Sequence, residues 1–482
     1  SIGMAAFSPF FYELVCIRRE KMMCLTGFVL MYALSYVCAK TDCIFLLALC
    51  SLVMGFLRMV LMMVNLFTLI KYAFGMEATR NITPGNEPRD AEGWDRLDSE
   101  KSVSMPTIYL FFMILGQVGT SLTAWLAYEY EWQYVYYYMM ATTLVAILVI
   151  FVTMPYHRYP GRRFPINFRK FGSVVIFCAM CTSVVYVLVY GKVLDWYDDP
   201  TIRWATAAAL LFTGLFVYME ATHRSPYFLM DVFRLRTINL GIILFLLLMV
   251  LNSSALFVNV FTGVGMKIDN WQNAALNNWA ILGYFIGAVI AIALGKRGVH
   301  LKYLFALGFV FIGLSALFMY FEVQTAGLYE RMKYPVIIRA TGMMLLYSLT
   351  AVLANQRMPY KYLSTWICIM LTVRMMLGPA AGTALYTNVM QQRQQHHLTR
   401  MAHDTDLTSP EAAASYTGTV RGMMLQGKSR QEAEQMAALS AKGKVQVQAT
   451  LASVKEMSGW TLYACMGCAL LVLLIPYRKR SL

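Results

Sequence analysis

The sequence holds 482 residues, 59% hydrophobic and only 14% charged, with a mean hydropathy of +0.53 and a formal net charge of +15. Soluble globular chains carry about 25% charged residues, so packing into one water-soluble core is excluded. Most of the positive charge falls in short loops between apolar runs, which points to orientation in a membrane rather than to nucleic-acid binding.

Apolar runs of about 20 residues recur from end to end, the length at which a helix crosses a bilayer. Lipid offers no partner to backbone polar groups, so spans are helices or closed barrels, and continuous runs select helices. In chain order the predicted spans cover approximately residues 3–16, 23–39, 43–70, 105–128, 133–155, 171–190 and 202–222. They continue with 238–262, 275–295, 303–321, 334–353, 364–387 and 459–476. The first is short for a full crossing. The fold class read from this pattern is an all-α polytopic membrane protein.

Alternate loops are basic. One side carries Arg18, Arg19 and Lys21, then Arg80, Arg89, Arg96 and Lys101, then Arg158, Arg162, Arg163, Arg169 and Lys170. The same side continues with Arg224, Arg234, Arg236, Lys296, Arg297, Lys302, Arg357, Lys361 and the tail Arg478, Lys479 and Arg480. The positive-inside bias makes this side, and the C-terminus, cytoplasmic. Thirteen spans then put Ser1 outside, and a further N-terminal helix is expected, fourteen in all. Residues 76–104, punctuated by Pro84, Gly85, Pro88 and Gly93, read as a cytoplasmic loop with turns. Residues 388–458, rich in Gln, Ala, Lys and Glu, read as one or two amphipathic helices outside the membrane.

Ten cysteines lie in or at the ends of apolar segments. Cys178/Cys181 and Cys465/Cys468 sit within helices and read as small packing residues. Neither a metal site nor a cofactor is expected. His396, His397, His403, Asp404 and Asp406 lack a ligand spacing, and there is no GxxxxGK[ST] loop to bind a nucleotide.

Charged side chains at bilayer depth are costly and mark function by default. Arg58, Arg339 and Arg374 qualify, while no Asp or Glu lies near the middle of any span. Arg58 and Arg339 occupy corresponding spans of two halves. Asn65, Gln117, Asn252, Asn259 and Tyr347 are candidate cavity-lining groups, with interhelical hydrogen bonding as the alternative. Gly116 and Gly119, and Gly378, Pro379 and Gly382, read as close-approach or hinge positions.

Several segments resemble one family. YMEATHRSPYFLMDVFRLRTINLG, residues 218–241, is similar to the signature after the eighth span of fourteen-helix drug:proton antiporters, the EmrB-like branch of the major facilitator superfamily. LGQVGTSLTAWLAYEYEWQYVYYY resembles that branch's fifth-helix antiporter motif, with Thr120 in place of its Pro. The loop ELVCIRREKMM keeps the basic residues of the family's first cytoplasmic motif without its Gly and Asp. The resemblance implies an N-terminal bundle over 1–156 lacking its first helix, two linker spans over 157–229, and a C-terminal bundle over 230–482. It implies a secondary active transporter, not an enzyme: a proton-coupled exporter of drug-like or amphipathic molecules, a multidrug efflux antiporter of the bacterial inner membrane. Arg58 matches the arginine thought to assist proton transfer to an acid on the absent first helix. Such exporters often work with a periplasmic adaptor and an outer-membrane channel. The competing readings are transport of an anionic metabolite or lipid, with the arginines as binding charge, and a non-transporting assembly subunit.

Overall fold

The computed structural model describes residues 1–10, 20–74, 88, 90–154, 156, 170–223, 226–324, 327–404 and 410–474. Glu13, most of the 76–89 segment, and the basic tail Arg478, Lys479 and Arg480 lie outside the described residues. All described regular structure is helical. Among the described residues twelve helices are long and apolar enough to cross a membrane, so the chain is an all-α polytopic membrane protein.

A short helix α1 (Ile2–Phe7) ends in a tight turn over Ser8–Phe10. It is followed by α2 (Glu20–Lys40), α3 (Ile44–Phe74), α4 (Ala91–Glu129) and α5 (Gln133–Thr153). Next come α6 (Phe171–Tyr190), α7 (Pro200–Thr222) and α8 (Arg236–Asn252), the last prolonged by Ala255–Val260 and a π-helical turn at Phe261–Gly265. Helix α9 has two parts, Asn270–Asn277 and Ala280–Lys296. Then follow α10 (Leu301–Glu322) and α11 (Lys333–Ala354). Helix α12 runs Leu363–Thr372, a π-helical turn Val373–Leu377, and Gly378–Asp404. The chain closes with α13 (Pro410–Leu425) and α14 (Arg430–Leu474).

Local chemistry accounts for several boundaries. Asp199 caps α7 by accepting from the Thr201 N–H at 2.7 Å, with Pro200 in the first turn, where its missing donor does no harm. Gly427, at φ +85°, turns the chain after α13, and Ser429 and Glu432 then exchange hydrogen bonds as a capping box opening α14.

Of the predicted first span the described residues hold only α1 and its turn, which are buried: Ala5, Ala6 and Ser8 are sealed off, and Tyr227 donates from its hydroxyl to the Ala6 carbonyl. One sequence expectation changes. Residues 91–104 are not loop but the start of the 39-residue α4, about 58 Å long against a hydrocarbon core near 30 Å. Pro106 lies inside the helix.

Packing is uneven. Of the apolar window of α11, 78% is buried inside the protein, against none of that of α4 and 6% of that of α5. Helix α11 is therefore the central post, touching α4, α8, α9 and α10. Glycines make this possible. A Cβ on Gly283 or Gly287 of α9 would fall 2.4 Å from the Ile337 carbonyl or 2.6 Å from that of Thr341, both on α11. Helix α7 packs chiefly against α6, as a peripheral pair. Helix α14 runs antiparallel first to α13 and then to the end of α12. The Tyr416–Glu434 bond fixes the first pairing, and the Arg393–Glu456 and Gln394–Thr450 contacts fix the second. The predicted amphipathic helices of 388–458 are thus a two-layer stalk continuous with two spans.

Candidate functional site

The seam between α8 and α11 holds a buried guanidinium. Arg339 is only 9% exposed. Its Nη1 donates to Asn252 Oδ1 at 2.9 Å and grazes the Asn252 carbonyl at 3.5 Å, while Nε is buried with no hydrogen-bond partner. Among the described residues no carboxylate pairs with it; the neighbouring group within electrostatic reach is the Tyr284 phenol of α9. Asn252 is placed by a break: α8 stops there, a turn through Ser253 and Ser254 follows, and the helix resumes at Ala255. Non-helical backbone at bilayer depth persists where it is buried in protein or lines a cavity. Guanidinium carries five donors and stays charged, so this one is a cation under-supplied with acceptors.

Along the same seam, two turns away, Tyr347 packs edge-on to Phe245 of α8 (5.1 Å between ring centroids) and to Tyr109 of α4 (4.8 Å). Tyr347 is fully buried, and its hydroxyl has no partner. The Arg374 guanidinium lies 4.5 Å from the centroid of its ring, a cation–π contact. Arg374 stands in the π-helical turn of α12. The cause is local: Pro379 has no N–H to donate to the Met375 carbonyl and its ring crowds that carbonyl, so the helix widens just before it. The Tyr109 hydroxyl reaches Met370 Sδ at 3.5 Å, completing a wall of aromatic and thioether groups.

The other predicted residues do not converge here. Arg58 is exposed on α3 and makes no described ion pair, so its sequence correspondence with Arg339 does not bring the two together. Asn65, also exposed, accepts weakly from Cys24 Sγ at 3.8 Å. Gln117 donates to Asn278 at 3.4 Å, and Asn278 donates to Ser121 at 2.9 Å. Gln117 thus makes an interhelical hydrogen bond between α4 and α9. Asn259 is exposed with no described side-chain hydrogen bond. Among the described residues nothing lies within 4 Å of a Cβ added at Gly116 or Gly119, so the expected close approach is not made there. On α12 the approach is real. A Cβ on Gly378 would sit 2.5 Å from Met249 Cβ, and one on Gly382 would sit 2.2 Å from Ser253 Oγ. Close packing to α8 therefore brackets Pro379.

A second polar cluster joins the N-terminal extension of α4 to the turn between α11 and α12. Arg357 Nη2 donates to Asp95 at 2.6 Å, and its backbone N–H points to Asp98 at 3.5 Å. Lys101 pairs with Asp98 at 3.7 Å and donates to the Asn355 carbonyl at 2.9 Å. Hydrogen bonding to Asp95 raises the pKa of Arg357 above its ordinary value. Neither the Arg357–Asp95 pair nor the seam was visible in the sequence, since every contact spans dozens of residues or more.

No family model matches the chain, and no curated protein does. Among solved structures the chain is similar to one titled as an auto-inhibited POT family peptide transporter. The identity is 12% and the TM-score 0.44, over 100% of this chain and 88% of that one.

Proposed function

We propose that the protein is a secondary active transporter of the major facilitator type whose cargo is an organic anion held at Arg339. The observation that carries this reading is the buried guanidinium itself: no described carboxylate neutralises it, and one of its donors is idle. A buried unpaired charge costs several kcal/mol, which the fold sustains only where something else benefits. An anionic cargo supplies the missing acceptors when the α8–α11 seam parts. The peripheral α6–α7 pair, in the place of the linker helices that the resemblance implies, supports the superfamily assignment. So does the latch at Asp95 and Arg357, which ties the first half of the chain to the second on the side that we assign to the cytoplasm.

A proton-coupled exporter of drug-like amphipaths is the second reading, favoured by the wall of Tyr109, Phe245, Tyr347 and Met370. Soft and aromatic groups suit varied apolar cargo. In either case we place the C-terminus in the cytoplasm and the stalk on the far side of a bacterial inner membrane, where an adaptor protein could meet it.

Reconstitution separates the two readings. Proteoliposomes with an imposed pH gradient are offered labelled organic anions or cationic dyes. The anion reading predicts saturable anion uptake that Arg339→Gln lowers about 10- to 150-fold, the range for a hydrogen bond to a charged group. Uptake of dyes alone, indifferent to position 339, would reject it.

A further inference from the structure

Two contacts fix the register of the α8–α11 seam: Asn252 with Arg339 at one end, and Phe245 with Tyr347 at the other. On α11 the two polar residues are eight positions apart, a rise of about 12 Å. The stretch of α8 between the matching ends carries Leu248 and Met249, both buried. Each end presents a buried donor without a protein acceptor, Arg339 Nε and the Tyr347 hydroxyl. Of the five buried side-chain polar atoms without a hydrogen-bond partner among the described residues, these are the two that donate. Buried polar atoms in native proteins are nearly always paired, so two orphans on one helix, at two ends of one apolar strip, are a pattern. The Arg374 guanidinium against the Tyr347 ring adds positive potential to the second end. Tyr109 and Arg374, which cover Tyr347, are only partly buried themselves.

We infer that the seam, when it parts, is a two-point site for an elongated organic dianion: one anionic group on Arg339, an apolar chain along the α8 stretch between the two ends, and a second anionic group accepting from the Tyr347 hydroxyl beside Arg374. The inference rests on the anion reading of Arg339 and adds the length and bifunctional character of the cargo. A monoanion satisfies one end and leaves the Tyr347 hydroxyl orphaned. A dianion of the right span satisfies both. One group at each end also explains why the donors are split between two levels of the helix rather than gathered around one pocket.

The test uses the full chain in lipid nanodiscs and two probes: a linear α,ω-dicarboxylate with about 12 Å between its carboxylates, matched to the helix rise, and the monocarboxylate of equal chain length. Binding is read by intrinsic tryptophan fluorescence. Wild type is expected to bind the diacid about tenfold more tightly than the monoacid, the worth of one good hydrogen bond. Tyr347→Phe is expected to erase that preference, and Arg339→Gln to weaken both probes. The Tyr347→Phe protein removes only an unpaired hydroxyl, so it keeps the fold, and a thermal melt confirms this. A diacid preference absent in wild type, or surviving Tyr347→Phe, overturns the two-point site. Equal loss of both probes on Arg339→Gln in that case leaves the anion reading standing. Failure of both probes to bind folded wild type overturns the two-point site as well. Monoacid binding indifferent to Arg339→Gln overturns the anion reading beneath it.

Discussion

Arg339 is costly to the fold and, under the proposed function, useful to the cargo, and that opposition can be measured. Replacing a buried charge by an apolar side chain of similar volume is often neutral or stabilising by about 1–4 kcal/mol. Arg339→Met should therefore melt at or above the wild-type temperature while transport collapses. A variant that unfolds would show instead that the bonds to Asn252 are structural. The glycines give a matched contrast. Gly382 faces Ser253 Oγ at 2.2 Å from an added Cβ, whereas Gly116 faces nothing among the described residues within 4 Å. Gly382→Leu should overpack the α8–α12 contact and cost about 1–3 kcal/mol, and Gly116→Leu should stay within about 0.5 kcal/mol. Denaturation of the two variants in detergent checks both. At this scale the sequence was half-legible. It marked Arg339, Asn252, Arg374 and Tyr347 one by one, because charge and polarity at bilayer depth are conspicuous. It could not pair Arg339 with Asn252, 87 positions away, and it read small residues at 116 and 119 without showing that nothing among the described residues approaches them closely.

At the scale of elements, the spans were legible because each is an apolar run bounded by charge or by turn chemistry. Asp199-Pro200 and the Ser429/Glu432 box mark their helix starts in the sequence itself. The extension of α4 was not legible. Its first fourteen residues are polar, so only the tertiary partner reveals the helix. That partner is the α11–α12 turn, reached through Asp95, Asp98 and Lys101. Asp95 and Arg357 are about one-third exposed, so solvent screens their attraction and Asp95→Asn should cost less than about 1 kcal/mol. The side chains of Asp98 and Lys101 are 8% and 17% exposed, and Asp98→Ala leaves the lysine, among the described residues, only the Asn355 carbonyl and no counter-charge, so its cost should be larger, about 1–3 kcal/mol after allowing for partial hydration. If this cluster latches one access state, Asp98→Ala should also raise the rate at which a thiol reagent labels a cysteine placed at Val103. An unchanged labelling rate would make the cluster a static brace.

For the whole molecule, number and order of spans carry the resemblance, and the deep burial of α11 beside an α4 that buries none of its apolar window gives the assembly a stiff post and a bare flank. A rocking transporter needs such a contrast, because packed cores switch between discrete arrangements rather than bending smoothly. The central claim is that Arg339 meets the cargo. Solid-supported-membrane electrophysiology on reconstituted protein tests it most directly, by recording currents after concentration jumps of a panel of organic anions and of cationic amphipaths. We predict saturable currents from anions in wild type and none in Arg339→Gln protein of equal orientation and abundance. Anion currents that persist in Arg339→Gln, or wild-type currents from the cations alone, would contradict the account.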